Sequence, residues 1–442
     1  MYGQTCKPLN IVYKQTADLV ENPNNARIHP PLQMRRLEAA IREFGFINPV
    51  IVDRSGQIQA GHARVAAAKK IGIEKVPTIA VEELTEDQFR AYALADNRLA
   101  EKAGWDKEIL AIELQRLIAL DNNLDITITG FEIPEIDLIV QEAGAQQDKD
   151  DVVEIDPATP AVTQTGDLWQ MNKHRVLCGN SLHDSSYQAL LGNRRAHAVF
   201  IDPPYNVAID GNVCGKGSIK HREFSMASGE LSEAEFVAFL NTAFRFLVRY
   251  SMGGSVHYIC MDWRHMSELL AAGKQIYDTL LNLCVWSKDN GGMGSFYRSR
   301  HELIFVFRNG KGPHRNNIQL GQYGRNRTNV WEYPGVNTLS KHSDEGNLLA
   351  LHPTVKPVQL IADAMLDCSA RGDIILDTFL GSGSTLIAAE RIGRVCYGIE
   401  IDPLYVDVAI RRWQRLTGDR VVHAVTKKYF DDLAVAAEVR HG

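Results

Sequence analysis

The chain has 442 residues, 45% hydrophobic and 23% charged, a soluble globular composition long enough for two or three domains. No apolar run approaches the roughly 20 residues of a membrane span, and residues 1–10 lack a basic-then-apolar leader, so a cytoplasmic protein without a membrane partner is expected. The seven cysteines are scattered without a Cys-x-x-Cys pair, which argues against structural zinc and a disulfide framework, and no metal is expected; at a net charge of −6, any nucleic-acid contact must rest on local charge.

Apolar residues at 34, 37, 40, 41 and 44 predict a helix over 32–45. Two short strands, 49–52 and 57–60, flank the turn Arg54-Ser55-Gly56. Gly61 opens a helix over 63–71, 76–81 is a strand, and 85–99 is a helix with Thr85 as N-cap. A glycine turn at a helix start with a cation one turn in can cradle phosphate. Gly61, His62 and Arg64, joined by Asn97 and Arg98, are the candidate phosphate site. Arg64 on a purely structural helix is the alternative. Helices over 110–120 and 135–143 precede an acidic, then Pro/Thr-rich linker over 146–166.

The glycine box, Asn22-Pro23-Asn24-Asn25-Ala26-Arg27 and Ala95-Asp96-Asn97-Arg98 together resemble the ParB-like N-terminal domain over about 9–100. The resemblance implies a nucleotide or DNA partner for this domain. The chain departs from it at Ala63 and Ala66, where basic or bulky residues often sit. The boundaries drawn are 1–105 for this domain, 106–165 for a helical connector and linker, 166–425 for a catalytic domain and 426–442 for a tail.

A hairpin over 167–178 turns at Asn172-Lys173, and Gly179-Asn180-Ser181 leads to a helix over 185–191. The run Ala198-Val199-Phe200-Ile201 reads as a buried parallel strand that stops at Asp202-Pro203-Pro204-Tyr205-Asn206, because proline cannot continue the ladder. A carboxylate, a rigid carbonyl and an aromatic ring at a strand's carboxyl end suit a planar base with an exocyclic amine. A helix over 231–250, strands over 255–261, 279–286 and 302–307, and a helix over 359–368 follow; the alternation predicts an α/β sheet covered on both faces. Residues 374–392 then read as strand, glycine-rich turn and helix. The next strand ends in Glu400, about 20 residues after the turn, the separation of an acid that accepts from ribose hydroxyls. An adenosine-containing cofactor is indicated; nicotinamide and flavin stay open, since Gly381 and Gly383 fit G-x-G-x-x-G while Leu386 takes the third place.

With both sites on one sheet, the chain resembles the permuted, beta-class DNA amino-methyltransferases over about 166–417, through Asp202-Pro203-Pro204-Tyr205, the loop 377–385, His352-Pro353-Thr354-Val355-Lys356-Pro357 and Gly398-Ile399-Glu400. The resemblance implies a Rossmann-like methyltransferase sheet that binds S-adenosyl-L-methionine. It assigns catalysis to Asp202, Pro203, Pro204 and Tyr205. It assigns the cofactor to Asp377, Phe379, Gly381, Ser382, Gly383, Thr385, Glu400 and Asn180, with His352, Thr354 and Lys356 closing the pocket. Asn180 stands where the family commonly has Asp. An Asp at the head of the catalytic motif goes with adenine N6 and a Ser with cytosine N4, so adenine is favoured. The absence of a Pro-Cys dipeptide argues against cytosine C5.

Double-stranded DNA is the implied partner, and the resemblance also admits a homodimer and a restriction-modification setting. DNA contacts are expected within about 207–350, from Lys216, Lys220, Arg222, Arg298, Arg300, Arg325 and Arg327 with Phe296, Tyr297, Tyr323 and Trp331 interleaved. Asp363 and Asp367 are expected on a solvated helix face, and Trp263 and Trp286 in the core. Cytosine N4 transfer, or a DNA-binding regulator with a methyltransferase scaffold, are the competing readings.

Overall fold

Proline at the first helical position and an apolar face every third or fourth residue start α1 (Pro31–Phe44), and Gly45 closes it at φ 82° with its N–H on the Ile41 carbonyl. The computed structural model describes residues 9–119, 125–144, 160–206, 229–289, 297–321, 325–334 and 356–441, in two units, Met1–Ala143 and Gly144–Gly442.

In the first unit β1 (Ile11–Gln15), β2 (Val50–Val52), β3 (Ile58–Ala60) and β4 (Lys75–Ala80) form a sheet in the order β1-β4-β2-β3. Leu19, Val50, Val52, Ile58, Val65 and Val76 make its core with α2 (His62–Lys70). The edge strand β1 is mostly exposed, so no inside-outside alternation marked it. Thr85 caps α3 (Glu86–Lys102) in a reciprocal box with Gln88. Helices α4 (Lys107–Ala119) and α5 (Ile133–Gly144) follow.

The second unit begins with the hairpin β5 (Leu168–Met171) and β6 (His174–Cys178), turning at Asn172 in the left-handed region, φ 51°. In chain order come α6 (Asp184–Leu191), β7 (Ala196–Ile201), α7 (Glu233–Tyr250), β8 (Ser251–Met261), α8 (Met266–Ile276), β9 (Thr279–Ser287), β10 (His301–Arg308) and β11 (Val330–Glu332). Then come α9 (Val358–Cys368), β12 (Ile374–Asp377), α10 (Ser384–Arg391), β13 (Val395–Glu400), α11 (Pro403–Thr417), β14 (Val422–His423) and α12 (Phe430–His441).

The strands form one ten-stranded sheet, β11-β9-β10-β8-β7-β12-β13-β6-β5-β14. Its centre, β8-β7-β12-β13-β6, is parallel. Every residue of β12 and β13 is buried, as an unbroken apolar run covered on both faces requires. Buried residues of α6, α7 and α8 pack on one face of the sheet, and those of α9, α10 and α11 on the other. The second unit is a Rossmann-like α/β fold, and the first is a smaller α+β fold. Chain order runs from β7 to β8 on one side and from β12 to β13 on the other, so the β7–β12 boundary is the switch point where open α/β sheets bind ligands.

Candidate active site at the carboxyl ends of four strands

The neighbours β7, β12, β13 and β6 end side by side. Asp202 follows the end of β7, Asp377 and Glu400 are the last residues of β12 and β13, and Asn180 lies just past β6. Groups almost 200 positions apart in sequence therefore share one edge.

Glu400 is buried between two backbone donors: Gly381 N–H at 2.7 Å on one oxygen and Asp402 N–H at 2.9 Å on the other. Burial pushes its carboxyl up to about 7, against the pull of those N–H groups. Asp377 accepts from the Phe379 N–H at 3.0 Å, and burial likewise raises it to about 7, opposed by the Thr385 hydroxyl and that N–H. Neither carboxylate pairs with a Lys or Arg among the described residues. Such an acceptor set fits a cationic ligand that carries hydroxyl donors.

The turn between them is held from behind. A Cβ on Gly383, at φ 86°, would lie 2.7 Å from the Ala409 Cβ on α11, so only glycine lets turn and helix meet. Arg412, also on α11 and buried, donates to the Ser382 carbonyl at 2.7 Å and to its hydroxyl at 3.1 Å. Ser382, expected on the cofactor, is thus also a strut of its own loop. Asn180 accepts from the Leu182 N–H at 2.8 Å, and Gly179 N–H bonds the Glu400 carbonyl at 2.8 Å, tying this turn to β13.

Around Asp202 the chain builds a closed polar cluster. The Tyr205 hydroxyl donates to Asp202 Oδ1, and Lys356 Nζ donates to Asp202 Oδ2 at 2.5 Å. Lys356 also reaches Glu302 Oε2 at 2.9 Å and the Tyr205 hydroxyl at 3.1 Å. The other oxygen of Glu302 takes Lys288, whose ammonium lies 4.5 Å from the ring centre of Trp286. Burial raises the Asp202 carboxyl above its ordinary range; Lys356 opposes this and Glu302 adds to it. Burial acts the same way on Glu302, but Lys356 and Lys288 outweigh it and bring that carboxyl down to about 2. Asn206, at φ 55°, bridges Gly229 and Leu231 and so ties the end of the catalytic turn to the approach to α7.

Several expectations change here. Lys356, expected to close the cofactor pocket, bonds Asp202. Glu302 and Lys288 were not singled out, because an acid and a base at strand ends look like solvated residues. Arg325 is not a surface cation: it is buried and bonds Asp367 at 2.7 Å and Asp363 at 3.3 Å. Arg327 is largely buried too, its guanidinium on Asp367 at 2.9 Å and over the Trp331 ring. Asp367 is accordingly interior and no part of a solvated face. Trp286 is in the core, whereas Trp263 is 47% exposed. Arg298 and Arg300 are exposed. Lys216, Lys220, Arg222, Phe296, Tyr323, His352 and Thr354 lie outside the described residues.

In the first unit the side chains of the candidate phosphate residues are engaged within the protein. Gly61, at φ 106°, starts α2, and the Arg64 guanidinium folds back beside it onto the Pro49 carbonyl at 3.4 Å. His62 Nε2 accepts from the Asn22 N–H at 3.3 Å. The Asn97 amide bonds its own helix at Ala93, and Arg98 pairs with Glu101 at 2.8 Å. A cavity of about 440 Å³ is walled instead by Asn22, Asp53, Arg54, Gln59 and Arg90. Among the described residues no cluster of His, Cys, Asp or Glu could hold a metal, and no helix is long and apolar enough to cross a membrane.

Residues 196–411 match the family model for DNA methylases, from β7 into α11. Residues 10–98 match the ParB N-terminal domain. Residues 108–165 match the ParB-methyltransferase HTH domain, on the stretch read from sequence as connector and linker. The ParB-like nuclease domain-containing protein YnaK of Escherichia coli (strain K12) is 41% identical over 80 residues, 18% of this chain and 92% of that protein. The type II methyltransferase M.ScaI of Streptomyces caespitosus is 37% identical over 95 residues, covering 22% of this chain and 31% of that enzyme. The type II methyltransferase M.HpaI of Haemophilus parainfluenzae is 25% identical over 256 residues, 54% of this chain and 73% of that enzyme.

Proposed function

We propose, since this chain belongs to the DNA methylase family and carries a ParB N-terminal domain ahead of its catalytic unit, that it methylates the N6 amine of adenine in DNA. DNA methyl transfer from S-adenosylmethionine comes with the family; the choice of amine and the residue roles are our reading. The observation that carries it is the line of Asp202, Asp377 and Glu400 at the ends of adjacent strands. When bound, S-adenosylmethionine supplies an electrophilic methyl group on a sulfonium. Glu400 would accept from its ribose hydroxyls. Asp377, Phe379 and the turn from Gly381 to Gly383 would hold the rest, and two buried carboxylates suit a cationic ligand.

The chain then has to align an amine with that methyl group. An exocyclic amine is a poor nucleophile because its lone pair is delocalised into the ring. Accepting its two protons on the Asp202 carboxylate and the Pro203 carbonyl localises that pair. Asp202 also stabilises the positive charge that forms on nitrogen as the N–C bond is made, before a proton leaves. The base has to leave the duplex to reach the site, and Tyr205 offers the ring to stack on. Arg298 and Arg300, both exposed, would serve as phosphate contacts. The N-terminal unit would bind nucleotide or DNA, with the start of α2 at Gly61 as its phosphate contact.

Incubation with unmethylated genomic DNA and methyl-labelled cofactor, followed by digestion to nucleosides, tests this. N6-methyl-2′-deoxyadenosine carrying the label is expected. Labelled N4-methyl-2′-deoxycytidine would refute the adenine reading, and no label in any nucleoside would favour a regulator on a methyltransferase scaffold.

A further inference from the structure

The Lys356 ammonium has three N–H donors and three acceptors: Asp202 Oδ2 at 2.5 Å, Glu302 Oε2 at 2.9 Å and the Tyr205 hydroxyl oxygen at 3.1 Å. The Tyr205 hydroxyl hydrogen goes to Asp202 Oδ1. Both oxygens of the carboxylate that is to receive the target amine therefore already carry donors from the chain. The arrangement also opposes the chemistry. A fixed ammonium beside Asp202 disfavours the positive charge that develops on the methylated nitrogen.

Glu302 resolves both difficulties. It is a second carboxylate within reach of the same ammonium, its side chain 12% exposed and its far oxygen anchored by Lys288. Asp202, Glu302, Lys356 and Lys288 sum to zero charge, and Lys356 already touches both carboxylates, so its shift toward Glu302 changes no net charge in the cluster and keeps the ammonium paired. Glu302 is the second residue of β10 and Asp202 directly follows β7, with β8 between the two strands, so the carboxylates are held by strands on either side of one neighbour.

We propose that Glu302 is a positioning residue for the transfer step: it takes over the Lys356 ammonium as the target amine arrives, releasing the Asp202 carboxylate to the amine. The inference rests on the amino-methyltransfer reading above. Glu302 also accepts from the Tyr205 hydroxyl at 3.3 Å, but its effect on the transfer step runs chiefly through Lys356. In Glu302→Gln the ammonium has one charged partner left and stays on Asp202, while the cofactor residues on β12 and β13 are untouched.

The test is a double-mutant cycle in the full chain, with unmethylated genomic DNA and labelled cofactor, read as kcat, KM and cofactor Kd. Glu302→Gln should lower kcat by about tenfold or more with cofactor Kd within about twofold, and Glu302→Asp, which keeps the charge, should recover most of the loss. In a Lys356→Met background, Glu302→Gln should change kcat by less than about twofold. If Glu302→Gln melts out of the assay range, Lys288→Met is read instead: it leaves Lys356 as the ammonium on Glu302, so kcat should hold or rise, and a loss of about tenfold overturns the inference. Wild-type kcat in Glu302→Gln, or the same loss in both backgrounds, overturns the inference. A wild-type chain that transfers no label fails the underlying reading instead, so the two failures are distinguishable.

Discussion

Lys356 Nζ lies 2.5 Å from Asp202 Oδ2 although 154 positions separate the two residues. That contact places an ammonium on the group assigned to receive the target amine, and it sets the acid limit of the reaction.

Lys356→Met should move the acidic limb of kcat/KM to higher pH. The ammonium holds the Asp202 carboxyl down, against burial and Glu302, which push it up. Asp202 must be ionised to accept from an amine, so removing the ammonium raises its pKa and activity is lost at a higher pH than in the wild type. Tyr205 and Glu302 also face Asp202: burial raises Tyr205 well above its ordinary value, so it stays protonated across pH 5–8, while Glu302 loses one of the two ammoniums that hold it down and keeps Lys288. Single-turnover rates against pH check this; a limb that stays put or moves to lower pH contradicts it.

Cofactor affinity should weaken on acidification below about pH 7. Burial places the carboxyls of Glu400 and Asp377 at about 7 in the free protein, and a cation with hydroxyl donors binds their ionised forms. Affinity is therefore full above about 7 and falls as pH drops, by roughly tenfold per unit for each group that must ionise. Calorimetric titration with S-adenosylmethionine between pH 5.5 and 7.5 measures it. Glu400→Gln should bind more weakly and with a shallower slope. A wild-type affinity that is flat over this range removes Glu400 and Asp377 from the cofactor site.

Arg325→Ala and Arg298→Ala should separate stability from DNA binding. Loss of Arg325 leaves Asp367 buried beside a single remaining guanidinium, at a cost of about 3–5 kcal/mol in denaturant unfolding. Arg298 is exposed, and its loss should leave unfolding within about 0.5 kcal/mol of wild type. DNA affinity in Arg298→Ala should fall, with the salt slope reduced by about one. Equal stability of the two variants would contradict the placement of Arg325.

The residues read most directly from sequence are those at strand ends. Asp202, Asp377 and Glu400 each close a short apolar run before a turn, and a parallel strand buried on both faces has to look that way. Glu302 and Lys288 carried no such mark, because they come together only through the pairing of β9 with β10. Arg325 was misread for a related reason: local charge cannot show that its partner, Asp367, lies 42 positions away on a buried helix face. Arg412 sits on an amphipathic helix, where a single base reads as solvated, yet it props the glycine turn. Helices over 110–120 and 135–143 were legible as helices, while the HTH family match on 108–165 rests on sequence features that apolar spacing does not carry.

The central claim is that Asp202 accepts from an adenine N6 amine. Mass spectrometry of nucleosides from unmethylated genomic DNA, treated with wild type or with Asp202→Ala at saturating S-adenosylmethionine, tests it most directly. The account predicts N6-methyl-2′-deoxyadenosine from the wild type and none from Asp202→Ala, which still binds cofactor. N4-methyl-2′-deoxycytidine from the wild type, or N6-methyl-2′-deoxyadenosine from Asp202→Ala at the wild-type rate, would contradict it.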